Sequence, residues 1–131
     1  MLNHDALILI VDDMKLVRSA IKRYLTSLGY KNLIEAENGA EAVKKFKDNK
    51  VDFIFMDLVM PIMTGAEALK KIRETDSDIP IAMLTSVADQ KTIDDCMLLG
   101  IIDYILKPLN AESGPDTLKK VLEKAYFAKA S

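Results

Sequence analysis

The 131-residue sequence lacks tryptophan and contains one cysteine and one histidine. Cys96, as the lone cysteine, excludes an intrachain disulfide and indicates a reducing compartment. Long apolar runs are also missing. A membrane-spanning helix needs about 18 continuous apolar residues, and no run in the sequence approaches this length. The first run, Ala6–Val11, is too short for a signal-peptide core and leads directly into Asp12 and Asp13. We therefore expect a cytoplasmic domain that makes no contact with a membrane.

An excess of positive charge is absent as well. Eighteen basic and 20 acidic residues give a net charge of −2. Because phosphate backbones are bound by clustered positive charge, this balance argues against nucleic acid as a partner of the domain. A chain that is 50% apolar and 29% charged is typical of one globular domain, here residues 1–131. The sequence leaves open whether this domain stands alone or belongs to a longer chain.

Four short apolar runs, rich in Ile, Leu and Val, predict strands that are covered on both faces, since apolar and polar residues do not alternate in them. The runs are Ala6–Val11, Val51–Met56, Ile79–Leu84 and Ile101–Leu106. A fifth and more polar segment, Lys31–Ala36, predicts an edge strand.

The segments between these runs have helical periodicity. In the first of them, apolar residues from Val17 to Leu28 form the predicted core face, and Arg18 is assigned with Lys15, Lys22 and Arg23 to the opposite face. The other helices are predicted to begin at Asn38, at the capping-box sequence Thr64–Glu67, near Asp89 and at Pro115. Five strand–helix units predict an α/β fold, a flavodoxin-like doubly wound parallel sheet with strand order 2-1-3-4-5 and helices on both faces.

Polar residues end four of the predicted strands. Asp12 and Asp13 follow the first strand, Asp57 the third, Thr85 the fourth and Lys107 the fifth. Ligands bind beyond the carboxyl ends of such strands, where the strand order reverses, so three carboxylates, a hydroxyl and an ammonium should meet there. Each residue alone also suits a helix cap or a turn, but those readings do not explain why all of them fall on one rim.

Three carboxylates repel one another unless a cation joins them. The ligands on offer are all oxygens, which favours Mg²⁺ over zinc. A carboxylate can attack phosphorus and form an aspartyl phosphate, and such transfer depends on positioning and on neutralising the phosphoryl oxygens. We therefore predict that Asp57 accepts a phosphoryl group, with Mg²⁺, Lys107 and Thr85 around it.

At these residues the sequence resembles the receiver domains of bacterial two-component response regulators, especially the single-domain chemotaxis receivers. The resemblance extends from about residue 7 to residue 127. The matching segments are Ile-Leu-Ile-Val-Asp12-Asp13, Phe-Met-Asp57-Leu-Val-Met-Pro61, Met-Leu-Thr85-Ser86 and Asp-Tyr104-Ile-Leu-Lys107-Pro108.

The resemblance implies that a sensor histidine kinase phosphorylates Asp57. It implies a Mg²⁺ ion bound by Asp13, Asp57 and the backbone carbonyl of Val59, with Asp12 nearby or acting through water. It further implies that the domain catalyses only its own phosphorylation and dephosphorylation, so that it is not an enzyme acting on other substrates.

The same resemblance gives roles to the remaining residues. Lys107 would pair with the acceptor, and the Lys107–Pro108 bond would be cis. Thr85 would bind the phosphoryl group, and Tyr104 would change rotamer with it. The surface of the fourth helix, fifth strand and fifth helix would then bind a downstream protein.

Three features depart from the family pattern. Val59 and Val87 stand where relatives often carry polar groups, which predicts slow spontaneous loss of phosphate. The segment Leu109–Pro115 is longer than the usual link to the last helix, which puts the placement of that helix in question. Thr64 replaces a common acidic residue but suits a helix cap equally well.

Two other functions compete with this one. Haloacid-dehalogenase-type phosphatases also use a strand-end aspartate with Mg²⁺, but they need a second acid two residues later, where this chain has Val59. A phosphorylation-independent interaction module would not need the intact polar set. A flavin or dinucleotide site is disfavoured, because no Gly-rich turn follows the first strand.

Overall fold

The computed structural model describes residues 2–86 and 89–130. Within these residues, five strands alternate with five helices. The elements are β1 (Leu7–Val11), α1 (Lys15–Ser27), β2 (Asn32–Ala36), α2 (Gly39–Asp48), β3 (Phe53–Asp57), α3 (Gly65–Thr75), β4 (Ile81–Thr85), α4 (Gln90–Leu98), β5 (Asp103–Leu106) and α5 (Gly114–Ala130). The strands are all parallel in the order β2-β1-β3-β4-β5, which confirms the predicted flavodoxin-like fold.

The register of the sheet brings the predicted polar residues to one edge. The last residue of β1, Val11, pairs with the residue before Asp57 at the end of β3. On the other side, Thr85 at the end of β4 pairs with the residue before Lys107. Because parallel strands run in the same direction, these residues leave the sheet at a common rim.

Two apolar cores lie on the two faces of the sheet. Side chains of α1 and α5 pack on one face with Ile8 and Ile10, and those of α2, α3 and α4 pack on the other with Leu9 and Val11. Successive strand residues point to opposite faces, so a strand buried on both sides must be apolar throughout. This confirms the prediction for β1, β3 and β4, and β2 is the edge strand that its polar sequence predicted.

The prediction that Ile101–Leu106 is covered on both faces was wrong. The strand begins only at Asp103 and is the second edge strand, where Tyr104 is 37% and Leu106 53% exposed. Of the four residues of β5, Ile105 is the one that is buried in the core. An apolar run in the sequence is compatible both with residues buried in the core and with residues that form an exposed apolar patch. Exposed patches of this kind mark interaction surfaces.

The helix ends follow the predicted caps. The Asn38 side chain accepts the Glu41 N–H at the start of α2, and Thr64 and Glu67 form the capping box of α3. Asp89 is the residue before α4, as predicted. None of the described helices is both long enough and apolar enough to span a membrane.

The link to the last helix is a compact turn. The Asn110 side chain accepts the N–H groups of Glu112 and Ser113, and α5 begins at Gly114, one residue before the predicted Pro115. A Cβ on Gly114 would lie 2.6 Å from the Tyr24 ring of α1. The extra length of the link is thus folded into the turn, and α5 packs closely against α1.

Cys96 lies on α4 and faces the core. It is buried against the α2–α3–α4 side of the sheet, and no disulfide involves it. Burial, followed by the nearby Asp95 carboxylate, raises the pKa of the Cys96 thiol. Cys96 therefore packs as a small apolar residue of the helix.

Candidate functional site

Three carboxylates meet at the carboxyl edge of the sheet. One oxygen each of Asp12, Asp13 and Asp57 lies within 4.8 Å of the other two. Asp12 and Asp57 are buried, and Asp13 is exposed. The N–H of Met14 donates to Oδ1 of Asp12 at 2.9 Å, which turns the chain from β1 into α1 and keeps both acids at the rim.

Lys107 enters this cluster from β5. Its Nζ lies 2.5 Å from Asp12 Oδ2 and 3.2 Å from Asp57 Oδ1. Its own N–H donates to the Thr85 carbonyl at 2.8 Å, and the Lys107–Pro108 bond is cis as predicted. One ammonium therefore bridges two carboxylates that come from different strands.

Burial dominates the electrostatics of Asp57. Burial, and then the Asp12 carboxylate, raise the pKa of Asp57 to about 6, while Lys107 and the Val59 backbone N–H act in the opposite direction. Burial alone would lower the pKa of Lys107, but its contacts with Asp12 and Asp57 more than offset this, so that pKa is raised. The lysine remains charged, and Asp57 is mostly ionised at neutral pH.

The loop after β3 fits tightly around Asp57. Gly65 donates its N–H to the Leu58 carbonyl at 2.9 Å, and a Cβ on Gly65 would overlap the Asp57 carbonyl oxygen. Val59 is exposed in this loop. Ile62 has a φ of 70°, a left-handed conformation that β-branched residues rarely adopt, and its side chain is 83% exposed.

The two predicted switch residues lie in different surroundings. Thr85 is buried at the end of β4, beside the strand that carries Asp57. Tyr104 pairs with Met83 on the edge strand and is partly exposed, so the structure places it at the surface of β5 and not inside the acidic pocket. Val87, the other predicted departure, lies outside the described residues.

The assignment of Arg18 to the outer face of α1 was wrong. Arg18 is buried, its Nη1 donates to the Asp12 carbonyl at 2.6 Å, and its Nε donates to Glu35 at 3.0 Å. The spacing already placed Arg18 with the core residues Ile21 and Leu25, at positions i, i+3 and i+7. Its charge led to the opposite assignment, because arginine is buried only when it is paired.

The donor atoms suit a hard divalent cation. Three carboxylates at one rim supply oxygen ligands alone, which is the set that Mg²⁺ prefers. The exposed Asp13 leaves one side of the cluster open to solvent, where a cation that keeps several waters can enter.

The family model for the response regulator receiver domain matches residues 8–121. The chain belongs to this family. The receiver is 39% identical over 115 residues to the chemotaxis protein CheY of Bacillus subtilis, covering 88% of this chain and 96% of that protein.

Solved receiver structures agree with this fold. A CheY-like receiver domain protein of Methanospirillum hungatei superposes with a TM-score of 0.86 at 27% identity, covering 96% of this receiver and 98% of that chain. A structure of a CheX–CheY–BeF3–Mg²⁺ complex from Borrelia burgdorferi has a TM-score of 0.85 at 27% identity, covering 92% of this receiver and 89% of that chain.

Proposed function

We propose that this receiver takes a phosphoryl group from a sensor histidine kinase onto Asp57 in a Mg²⁺-dependent reaction. The observation that carries the proposal is that Lys107 lies 3.2 Å from the buried Asp57 carboxylate and 2.5 Å from Asp12. A nucleophilic carboxylate, a fixed ammonium and an acidic cation site are thus within reach of one phosphorus atom.

Each residue of the pocket has a separate proposed role in phosphoryl transfer. Asp57, with a pKa of about 6, is mostly ionised at neutral pH and attacks phosphorus as a carboxylate, while the bond from phosphorus to the donor nitrogen breaks. Lys107 neutralises one side of the phosphoryl group, and Thr85 provides a hydroxyl donor at the neighbouring strand end. When bound, Mg²⁺ would neutralise phosphoryl oxygens as a Lewis acid. Asp12, Asp13, Asp57 and the Val59 carbonyl are the proposed ligands.

The proposed output is a partner-binding surface on α4, β5 and α5. Exposed apolar side chains support it, since large apolar groups on a surface mark interaction sites. These are Met97, Leu98, Tyr104 and Leu106. The Borrelia burgdorferi CheY, which was solved with BeF3, Mg²⁺ and CheX, is a relative that binds a second protein.

Phosphorylation alone should shift the switch only partly. A hydrogen bond to a charged group contributes about 1.5–3 kcal/mol, whereas inverting a 1:99 equilibrium needs roughly 5.5 kcal/mol. Thr85 alone is therefore too weak, and Lys107 and partner binding must complete the change. Complete conversion by phosphate without a partner, seen by two-dimensional NMR, would contradict this estimate.

We also propose that the receiver does not act on other substrates. An aspartyl phosphatase of the haloacid-dehalogenase type needs an acid at position 59, where this chain carries an exposed valine. In a phosphorylation-independent interaction module, the buried Asp57–Lys107 pair would have no function.

The test treats the protein with acetyl phosphate and Mg²⁺ and maps the modified residue by mass spectrometry. We expect modification of Asp57 that is lost with EDTA and in Asp57→Asn, while Asp116→Asn, an exposed acid on α5, behaves as wild type. Beryllofluoride with Mg²⁺ should shift the NMR signals of Tyr104. Modification of another residue, or labelling that persists in EDTA, would refute the proposal, and turnover of p-nitrophenyl phosphate would favour the phosphatase.

A further inference from the structure

Arg18 is a buried charge directly behind the acidic cluster. It is 7% exposed, and its Nη1 donates to the carbonyl oxygen of Asp12 at 2.6 Å. The proposed function assigns no role to Arg18, because its guanidinium contacts the backbone of Asp12 and not a carboxylate of the cluster. Burying an arginine is costly, and the pairing with Glu35 offsets this cost without explaining why the guanidinium lies against Asp12.

The contact fixes the peptide that joins the first two acids. The Asp12 carbonyl and the Asp13 nitrogen belong to one planar peptide unit, so holding the carbonyl oxygen also orients the bond into Asp13. The preceding peptide is held as well, because the Asp12 N–H donates to the Ala36 carbonyl of β2 at 3.2 Å. The turn that carries both carboxylates is therefore fixed on two sides.

Glu35 orients the guanidinium. Its Oε1 accepts from Arg18 Nε at 3.0 Å, and its Oε2 accepts from Lys22 Nζ at 3.3 Å. Burial opposes the ionised form, but the hydrogen bonds from Arg18 and Lys22 prevail and lower the pKa of Glu35. A planar guanidinium that is held through Nε has its Nη1 direction set at the same time, which a lysine could not reproduce.

We propose that Arg18, oriented by Glu35, is a positioning residue for the divalent cation, because it holds the Asp12–Asp13 turn in a cation-binding arrangement before the cation arrives. This inference rests on the proposed function of the same site. Groups outside the ligand set that orient metal ligands typically change metal affinity about 10-fold to 100-fold when they are removed. A merely structural Arg18, which satisfies a buried carbonyl, would change stability and leave cation affinity unaltered.

The test measures Mn²⁺ affinity by electron paramagnetic resonance, on proteins that are shown to be folded at the measuring temperature. We expect Arg18→Met to weaken Mn²⁺ binding about 10-fold or more. Arg18→Lys should restore only part of the loss, since it keeps the charge and lacks the planar fork. Ile21→Val is the matched control on α1: it removes one buried methylene group, which lowers stability, and should leave the affinity unchanged.

A double-variant comparison tests the role of Glu35. Glu35→Gln should weaken Mn²⁺ binding in the wild-type background and have no further effect in Arg18→Met, because it acts through the guanidinium. This variant also keeps the inference falsifiable if Arg18→Met fails to fold.

The outcomes separate the two proposals. Saturable Mn²⁺ binding by the wild type that is lost in Asp13→Asn supports the cation site itself. If Arg18→Met then binds within about twofold of wild type, the positioning role is wrong and the proposed function stands. Equal effects of Glu35→Gln in both backgrounds would overturn the action through Arg18. A wild type that does not bind Mn²⁺ overturns both proposals.

Discussion

The Lys107 ammonium lies 2.5 Å from the Asp12 carboxylate, although 95 positions separate the two residues in the sequence. This contact joins the ends of β1 and β5 across the two strands that lie between them. It also covers Asp57, which ends the central strand. The pocket is therefore formed by side chains at the ends of three strands, and its charge balance depends on one lysine.

Removal of that lysine should make Asp57 harder to ionise. In Lys107→Met the repulsion between Asp12 and Asp57 is no longer offset, so we expect the pKa of Asp57 to rise above about 6. NMR titration of the Asp57 carboxyl carbon in EDTA measures this pKa. Lys107→Arg keeps the charge and is expected to leave the value near 6. A value at or below 6 in Lys107→Met would contradict the role of the ammonium.

Asp57 should destabilise the cation-free protein at neutral pH. Its pKa is about 6 in the folded state and 3.8 when unperturbed, so its favourable contribution is complete below about pH 4 and is lost as pH rises through 6. The full shift corresponds to about 3 kcal/mol, and solvent screening reduces this to about 1–2 kcal/mol.

We therefore expect Asp57→Asn to unfold at higher urea concentration than wild type at pH 7 in EDTA, with the difference vanishing below pH 4. Asp116→Asn, an exposed acid, should change the free energy of unfolding by under about 0.5 kcal/mol. If Asp57→Asn is less stable than wild type at pH 7, ionised Asp57 does not lower the free energy of unfolding.

Val59 should make the phosphorylated state long-lived. Its side chain is exposed next to Asp57 and has no polar atom to orient an attacking water. We expect a half-life of minutes or longer in excess Mg²⁺, measured by loss of phosphate from the protein. Val59→Asn should speed hydrolysis by roughly threefold to tenfold through water positioning, and Val59→Ala should not. A wild-type half-life of seconds would count against this view.

A side chain at position 65 should force the loop after β3 to shift. The methyl group of Gly65→Ala would overlap the Asp57 carbonyl oxygen, so the loop must shift at a cost of about 1–3 kcal/mol. We expect lower stability in urea together with weaker Mn²⁺ binding. Thr64→Ala is the matched control, since loss of its cap costs about 1 kcal/mol without moving Asp57. Unchanged Mn²⁺ affinity in Gly65→Ala would show that the loop adapts elsewhere.

Ile62 should reduce stability through its backbone. A β-branched residue at φ 70° is strained, whereas asparagine adopts this conformation at lower cost. We expect Ile62→Asn to raise the free energy of unfolding by about 1 kcal/mol. Ile62→Val keeps the branching and should give no gain. If both variants are equally stable, the conformation carries no strain.

The sequence predicted the fold and the rim because both follow from pattern and topology. Apolar runs without alternation identified β1, β3 and β4, and the strand order then required Asp57 to lie between Asp12 and Thr85. The ion pairs of Lys107 are a matter of side-chain conformation, and so are the burial and raised pKa of Asp57. They depend on packing that no local pattern specifies.

Two predictions failed because one property of a residue outweighed another. Arg18 was assigned by its charge, although its spacing placed it on the core face, and Glu35 provides the pairing that makes its burial possible. Leu106 was assigned by apolarity, although it belongs to an edge strand. For Arg18 the deciding factor is a neighbour distant in the sequence, and for Leu106 it is the position of β5 at the edge of the sheet.

The burial of Cys96 makes this protein convenient for fluorescence spectroscopy. Thiol-reactive dyes need an accessible thiolate, and the only native cysteine is enclosed with a raised pKa. A reporter cysteine at Leu98, which is 86% exposed on α4, would therefore be labelled selectively without first removing the native thiol. Single-molecule recordings of the proposed output surface could thus be made on an otherwise unaltered chain.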